Sequence, residues 1–252
     1  MIQIDYSGRT VVVTGASRGI GLGIARGFAE AGARLHLIAD DPAVEDSARE
    51  LGATAARADI AVKTDVQAAL APLSRIDVLV NNAGLELMTP IEDESDAVTD
   101  AFRRIVEINV IGTGLVTTAA LARMPAGASI INTASIWGRV AEPRFGAYVA
   151  SKHAIIGLTK TWARELGPRG IRVNAVCPGW VRTQASLRSL GRMATEAGVA
   201  EATLLDEIVA GQALPGLMEP QDMAATYLFL GSDLAANITG QSLGVDRGEV
   251  PW

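Results

Sequence analysis

RTVVVTGASRGIG, Arg9 to Gly21, decides the fold. Its first half is a β-branched run with the composition of a buried strand. The run breaks at Gly15 into a turn with glycines at 15, 19 and 21, and an Ala- and Gly-rich helical stretch follows to about Gly32. The same rhythm repeats downstream. ARLHLIA (33–39), Ala53 to Ala58, IDVLVNNAG (76–84), ASIINTAS (128–135), GIRVNAVCPG (170–179) and Gln241 to Val245 read as strands. Helices are predicted from Pro42 to Leu51, Val62 to Leu73, Asp96 to Met124, Tyr148 to about Gly167, and Pro220 to Leu230. Such alternation requires a parallel sheet with right-handed crossovers and helices on both faces. The expectation is one α/β, Rossmann-type, doubly wound domain of about seven strands over residues 1–252.

Composition agrees. Of 252 residues, 49% are hydrophobic and only 4% aromatic, which suits a sheet covered by Ala-rich helices. The net charge of −6, with no basic tract, argues against nucleic-acid or membrane-surface partners. The start, MIQIDYSGRT, lacks the pattern of a signal peptide, and no apolar run approaches the length of a membrane span. A cytoplasmic location is expected. The single cysteine, Cys177, gives neither a disulfide nor a zinc cluster, so no metal is expected. Cys177 reads as a small buried hydrophobe, and His153 as a packing residue.

The glycine turn carries chemistry of its own. Gly15 permits a tight exit from the strand, and Gly19 and Gly21 let backbone N–H groups and a helix N-terminus approach a pyrophosphate. Asp40 ends the second strand about twenty residues on, where an acid binds adenosine ribose hydroxyls. Asp41 adds charge that would repel a 2′-phosphate, favouring NAD over NADP, while Arg18 inside the turn argues the other way.

YVASK, Tyr148 to Lys152, opens the helix of residues 148–167 with a phenol and an ammonium at i and i+4 on one face. Alone, the pair is equally a core tyrosine beside a solvated lysine. In company with TGASRGIG (14–21), Asp59-Ile60, NNAG (81–84), Asn109, Ser135 and PGWVRT (178–183), it resembles the short-chain dehydrogenase/reductase family nearly end to end. The resemblance implies hydride transfer between a substrate carbon and a nicotinamide. It makes Tyr148 the acid/base, Ser135 the partner of the substrate oxygen, and Lys152 the cation that depresses the phenol pKa together with the charged nicotinamide. Asn109 would hold a water relay to Lys152. By the same resemblance Ser17, Arg18 and Ile20 join the three glycines at the phosphates. Asp59 and Ile60 would touch adenine, and Asn81, Ala83 and Gly84 would line the cofactor. Tyr148 and Lys152 would meet the nicotinamide ribose, and Pro178, Gly179, Val181 and Thr183 the carboxamide end. A homotetramer is also implied.

Substrate identity is less legible. Glu86, Glu142 and Arg144 fit a sugar or polyol, whereas Trp137, Phe145 and Trp180 fit an apolar cyclic alcohol. The expected reaction is NAD-linked interconversion of a secondary alcohol and a ketone. The alternatives are an NADPH-dependent ketoreductase, for example on 3-oxoacyl thioesters, and a catalytically silent dinucleotide sensor. Residues 184–214, with Gly191, Gly198 and Gly211 and no strong periodicity, read as an irregular, partly helical lid over the substrate. Near the C-terminus, Arg247 stands where the family usually has glycine, which puts a left-handed backbone there in doubt, and Trp252 is expected at a subunit contact.

Overall fold

The computed structural model describes residues 4–251. Seven strands, β1 (Thr10–Thr14), β2 (Arg34–Ala39), β3 (Thr54–Arg57), β4 (Val78–Asn81), β5 (Ser129–Thr133), β6 (Arg172–Pro178) and β7 (Ser242–Val245), form one parallel sheet ordered 3-2-1-4-5-6-7. This is the expected Rossmann-type arrangement. Helices α1 (Gly19–Glu30), α2 (Ala43–Leu51), α3 (Lys63–Leu70), α4 (Asp96–Val106), α5 (Thr113–Ala120), α6 (Gly146–Leu166), α7 (Gln184–Ala197), α8 (Glu201–Ala210) and α9 (Ala224–Gly231) complete it.

The central strands are apolar on both faces because both are covered. Val11 and Val13 point into one core with Ile24, Phe28 and Tyr227, from α1 and α9. Val12, one residue out of phase, joins Leu70, Val116 and Ile130 on the other side. The α1–α9 layer is close: a Cβ at Gly27 would lie 2.5 Å from the Ala224 Cβ.

Strand order reverses between β1 and β4, so the carboxyl ends of β1, β2, β4, β5 and β6 open on one crevice. That edge carries Gly15, Asp40, Asn82, Ser135 and Gly179.

Several expectations need correction. The long helix of residues 96–123 is interrupted by a π segment, Glu107–Gly112, whose wider turn carries Asn109. By length and composition the helix could cross a membrane, contrary to the expectation that no apolar run is long enough. Its apolarity has another source: Ile105, Val116 and Ala120 lie fully buried, while Asp100, Arg103 and Glu107 face outward. Residues 184–214 are more regular than expected, with two helices in place of a partly helical segment. Thr183 caps α7 through a reciprocal Thr183/Ser186 box, and α8 follows after Gly198. Gly191 lies inside α7, where a Cβ would come 2.9 Å from Glu201 Oε1, so this glycine permits helix packing rather than hinging. Arg247 adopts φ 55°, so the left-handed turn survives without glycine. Its Nη1 donates to Pro215 O at 2.7 Å, and Leu214 N donates to Arg247 O at 2.9 Å. His153 is exposed rather than packed. Trp252 lies outside the described residues.

Candidate active site

The crevice is a continuous cavity of about 380 Å³. At one end the β1–α1 turn supplies main chain. Gly15 (φ 66°) and Gly19 (φ 56°) take left-handed conformations, and a Cβ at Gly21 would lie 2.2 Å from Gly15 O. Helix α1 begins without a capping side chain and without an acid in its first turn, so its N–H groups and dipole face the crevice unopposed. Ser17, Arg18 and Ile20 line this end with Asp40, Asp59 and Ile60. Arg18 is ion-paired with Asp41. Asp59 is held by Arg104 and by the N–H of Ala61, which keep its carboxyl below the usual range despite partial burial.

At the other end side chains converge. Lys152, 4% exposed, donates from Nζ to Thr133 O at 2.8 Å and lies 5.4 Å from the centre of the Tyr148 ring. Burial lowers its pKa to about 8, while the charge of Glu86 works upward. Tyr148 hydrogen-bonds Ser135, whose Oγ also accepts from Trp137 N at 3.1 Å. The phenol pKa is pushed up, first by burial and then by Glu86, against the pull of Ser135. Lys152 is not among the groups that set this pKa, so the expected depression is not met within the protein alone, and burial with Glu86 holds the phenol protonated.

Asn109 does not line the cavity; it stands behind the wall. Its Oδ1 accepts from Leu85 N (2.7 Å), and its Nδ2 donates to Leu85 O (3.0 Å) and Ser151 Oγ (2.9 Å). The side chain is thus fully occupied in tying the segment after β4 to α6. Asn109 Oδ1 and Lys152 Nζ both flank Gly84, at 3.4 and 3.5 Å from where its Cβ would stand. Pro178, Gly179, Val181 and Thr183 reach the cavity, as do Ala83 and Gly84.

Asn81 does not. Strand alternation turns it inward, where Nδ2 donates to Thr117 Oγ1 (3.0 Å) and Asn132 Oδ1 (2.9 Å). Its neighbour Asn82 lines the crevice instead, donating to Thr14 O and Gly15 O and so clamping the glycine turn to β4. The NNAG doublet was the available signal; a period of two chooses its second member.

Of the substrate candidates, Glu86, Trp137 and Trp180 line the inner end. Glu142 does not: it is partly buried near Glu249, and burial raises its pKa. Arg144 does not line the crevice either; its Nε pairs with Glu196 Oε2 of α7 at 2.7 Å. Sequence reasoning missed Arg188, which α7 brings into the crevice; only a helical reading of 184–197 would have placed it. The aromatic wall is compact. Trp137 lies 4.8 Å from Phe145, 5.9 Å from Tyr148 and 6.2 Å from Trp180 between ring centres.

A family model described as enoyl-(acyl carrier protein) reductase matches residues 15–249. The chain belongs to the short-chain dehydrogenase/reductase family. It is 39% identical to the oxidoreductase UcpA of Salmonella typhimurium over 96% of this chain and 94% of that one. It is 38% identical to galactitol 2-dehydrogenase (L-tagatose-forming) of Cereibacter sphaeroides, over 97% and 96%. The crystal structure of a short-chain dehydrogenase/reductase, glucose/ribitol dehydrogenase, from Brucella melitensis superimposes with a TM-score of 0.90 at 29% identity, covering both chains completely. The protein is accordingly an oxidoreductase of CH–OH groups that works with a nicotinamide dinucleotide.

Proposed function

We propose that the protein interconverts a secondary alcohol and a ketone with NAD, Tyr148 acting as acid/base. The observation that carries this reading is the convergence of Ser135, Tyr148 and Lys152 at one end of a crevice whose other end is an uncapped helix N-terminus behind three glycines. The turn fits a dinucleotide: main chain occupies the space that side chains would fill, and the first N–H groups of α1 suit a pyrophosphate. Bound there, the dinucleotide would accept or donate the hydride. Ser135 would hold the substrate oxygen through its hydroxyl. Tyr148 would pass that oxygen its proton in reduction and take it in oxidation. Lys152, anchored on Thr133 O, would supply positive charge on the phenol's side of the site, the sign that favours a phenolate. Asn109 would position the Gly84–Leu85 segment and, through Ser151, the face of α6 that carries Tyr148 and Lys152.

Preference for NAD is supported by Asp40 at the crevice and by the engagement of Arg18 with Asp41. Arg57, the other nearby cation, donates from Nε to Asp40 O at 2.9 Å. An NADPH-dependent ketoreductase is the second reading, favoured by the description of the matching family model and by the exposure of Arg18. Thermal shifts with each dinucleotide, followed by absorbance at the reduced-nicotinamide band across a panel of secondary alcohols and ketones, test both. A larger shift with NADP and turnover of oxoacyl thioesters alone would sink the first. The homotetramer is supported by Phe102 and Ile111, large apolar side chains exposed on the long helix.

A further inference from the structure

Three groups of opposite sign stand together at the reacting end: Glu86 after β4, Lys152 on α6 and Arg188 on α7. Asp40 and Asp59, the other acids of the crevice, stand at its adenosine end. Burial pushes the Glu86 carboxyl up, against the opposing pull of the Ser189 hydroxyl on α7 and of the charges of Lys152 and Arg188. One hydroxyl contact leaves most of a carboxylate's acceptor capacity unused. The same end carries an apolar wall, Trp137 and Trp180. A monohydroxy alcohol held at Ser135 and Tyr148 would satisfy that wall and leave the carboxylate desolvated, at a cost.

We propose that Glu86 is a specificity-determining residue, accepting a hydrogen bond from a second hydroxyl next to the reacting carbon, so that the protein prefers vicinal diols and polyols over simple secondary alcohols. The proposal rests on the alcohol–ketone reading above. It also follows from elimination within the fold, since Glu142 and Arg144, the other polar candidates, are turned away from the crevice. The charge of Arg188 reaches the acid from the α7 side, and its presence on α7 links substrate choice to the helix that lines the site. The chemistry needs a donor: a hydroxyl gives the carboxylate a hydrogen bond, whereas a substrate carboxylate would meet like charge.

A second consequence concerns proton transfer. Burial, and then the charge of Glu86, opposes loss of the Tyr148 phenol proton. Removing that charge moves the pH profile of alcohol oxidation to lower pH. A residue that only held α7 in place would leave the profile where it was.

The test compares kcat/KM on matched pairs, meso-2,3-butanediol against 2-butanol and cis-1,2-cyclohexanediol against cyclohexanol, with 3-hydroxybutyrate as the anionic arm. Wild type is expected to favour the diols by about 10-fold or more, because a site built for a hydroxyl rejects the analogue lacking it. Glu86→Leu should bring the ratio near unity. Glu86→Gln should keep part of it and shift the profile to lower pH. Ser189→Ala should retain the preference. Equal use of both members of each pair by wild type, a diol preference that survives Glu86→Leu, or a preference for 3-hydroxybutyrate would overturn the role of Glu86 and leave the dehydrogenase reading standing. Dinucleotide binding without turnover of any alcohol or of the matching ketones would overturn both.

Discussion

At the β1–α1 turn the crevice is built from main chain: glycines at 15, 19 and 21, N–H groups, and a helix end. At the β5–α6 side it is built from side chains that arrive from β4, β5, α6 and α7. The first end needs mainly the path of the turn and its clamp to β4 through Asn82. The second needs four segments to be placed to within a fraction of an ångström. Mutations should therefore separate the two ends, one governing affinity for the dinucleotide and the other the chemical step.

The hardest test of that separation is Tyr148→Phe. It removes the hydroxyl that meets Ser135 and keeps the ring against Trp137. Turnover should fall about 10³-fold, within the range for loss of a general acid or base, while the dinucleotide thermal shift persists. Equal loss of both would show that the two ends cannot be separated.

Lys152→Met asks what the buried cation costs the fold. Its pKa near 8 lies below the ordinary value of 10.5. Between those values the unfolded chain binds more protons, so stability rises with pH through the window, and the cost is fully present below pH 8. The shift corresponds to about 3 kcal/mol. Lys152→Met should be inactive yet melt higher than wild type at pH 7, by several degrees, with the gap closing toward pH 10. A variant that melts lower at pH 7 would mean that the Thr133 bond outweighs desolvation.

Gly21→Ala tests the main-chain end. Its Cβ would press on Gly15 O, and overpacking of this kind costs about 1–3 kcal/mol. Dinucleotide affinity and melting temperature should drop together, whereas Gly157→Ala, whose Cβ meets nothing within 4 Å, should be neutral or stabilising. Equal melting temperatures for the two variants would remove close approach as the reason for Gly21.

What was legible in the sequence follows the same division. The strand–helix alternation follows from short-range periodicity, and the glycine turn and the Tyr148–Lys152 pair are carried by contiguous residues. Asn81 was misplaced for its neighbour Asn82 because the phase of β4, one residue either way, is set by the sheet and not by the NNAG letters. Glu142 and Arg144 lie close to Tyr148 in sequence but turn away, Arg144 in a left-handed conformation (φ 68°) that directs it to Glu196. Arg188 was hidden for another reason. It lies just beyond PGWVRT, on a stretch whose helical start is set by the Thr183/Ser186 cap. The π segment at Asn109 has no local signature; it is imposed by the contacts of Asn109 with Leu85 and Ser151 on neighbouring segments.

The smallest expected effect lies behind the side-chain end, where the C-terminal strap crosses Gly179. Asp246 accepts from Gly248 N and Val250 N, and Val250 packs into the aromatic cluster of Trp137 and Phe145. Glu249 Oε2 is buried there without a partner among the described residues. Burial, and then the charge of Asp246, pushes its carboxyl up to about 7. Between the ordinary 4.5 and 7 the folded chain therefore binds more protons than the unfolded one, so stability falls as pH rises through that window. Glu249→Gln should be nearly silent at pH 4.5 and should raise the melting temperature above pH 7. Partial solvent access screens the charge, so the gain is held below about 1 kcal/mol, or roughly 2 °C for a chain of this size. Because the strap packs on the aromatic wall and not on the glycine turn, KM for the alcohol should respond while dinucleotide affinity does not. A change in dinucleotide affinity alone would place Glu249 with the main-chain end and redraw the boundary between the two.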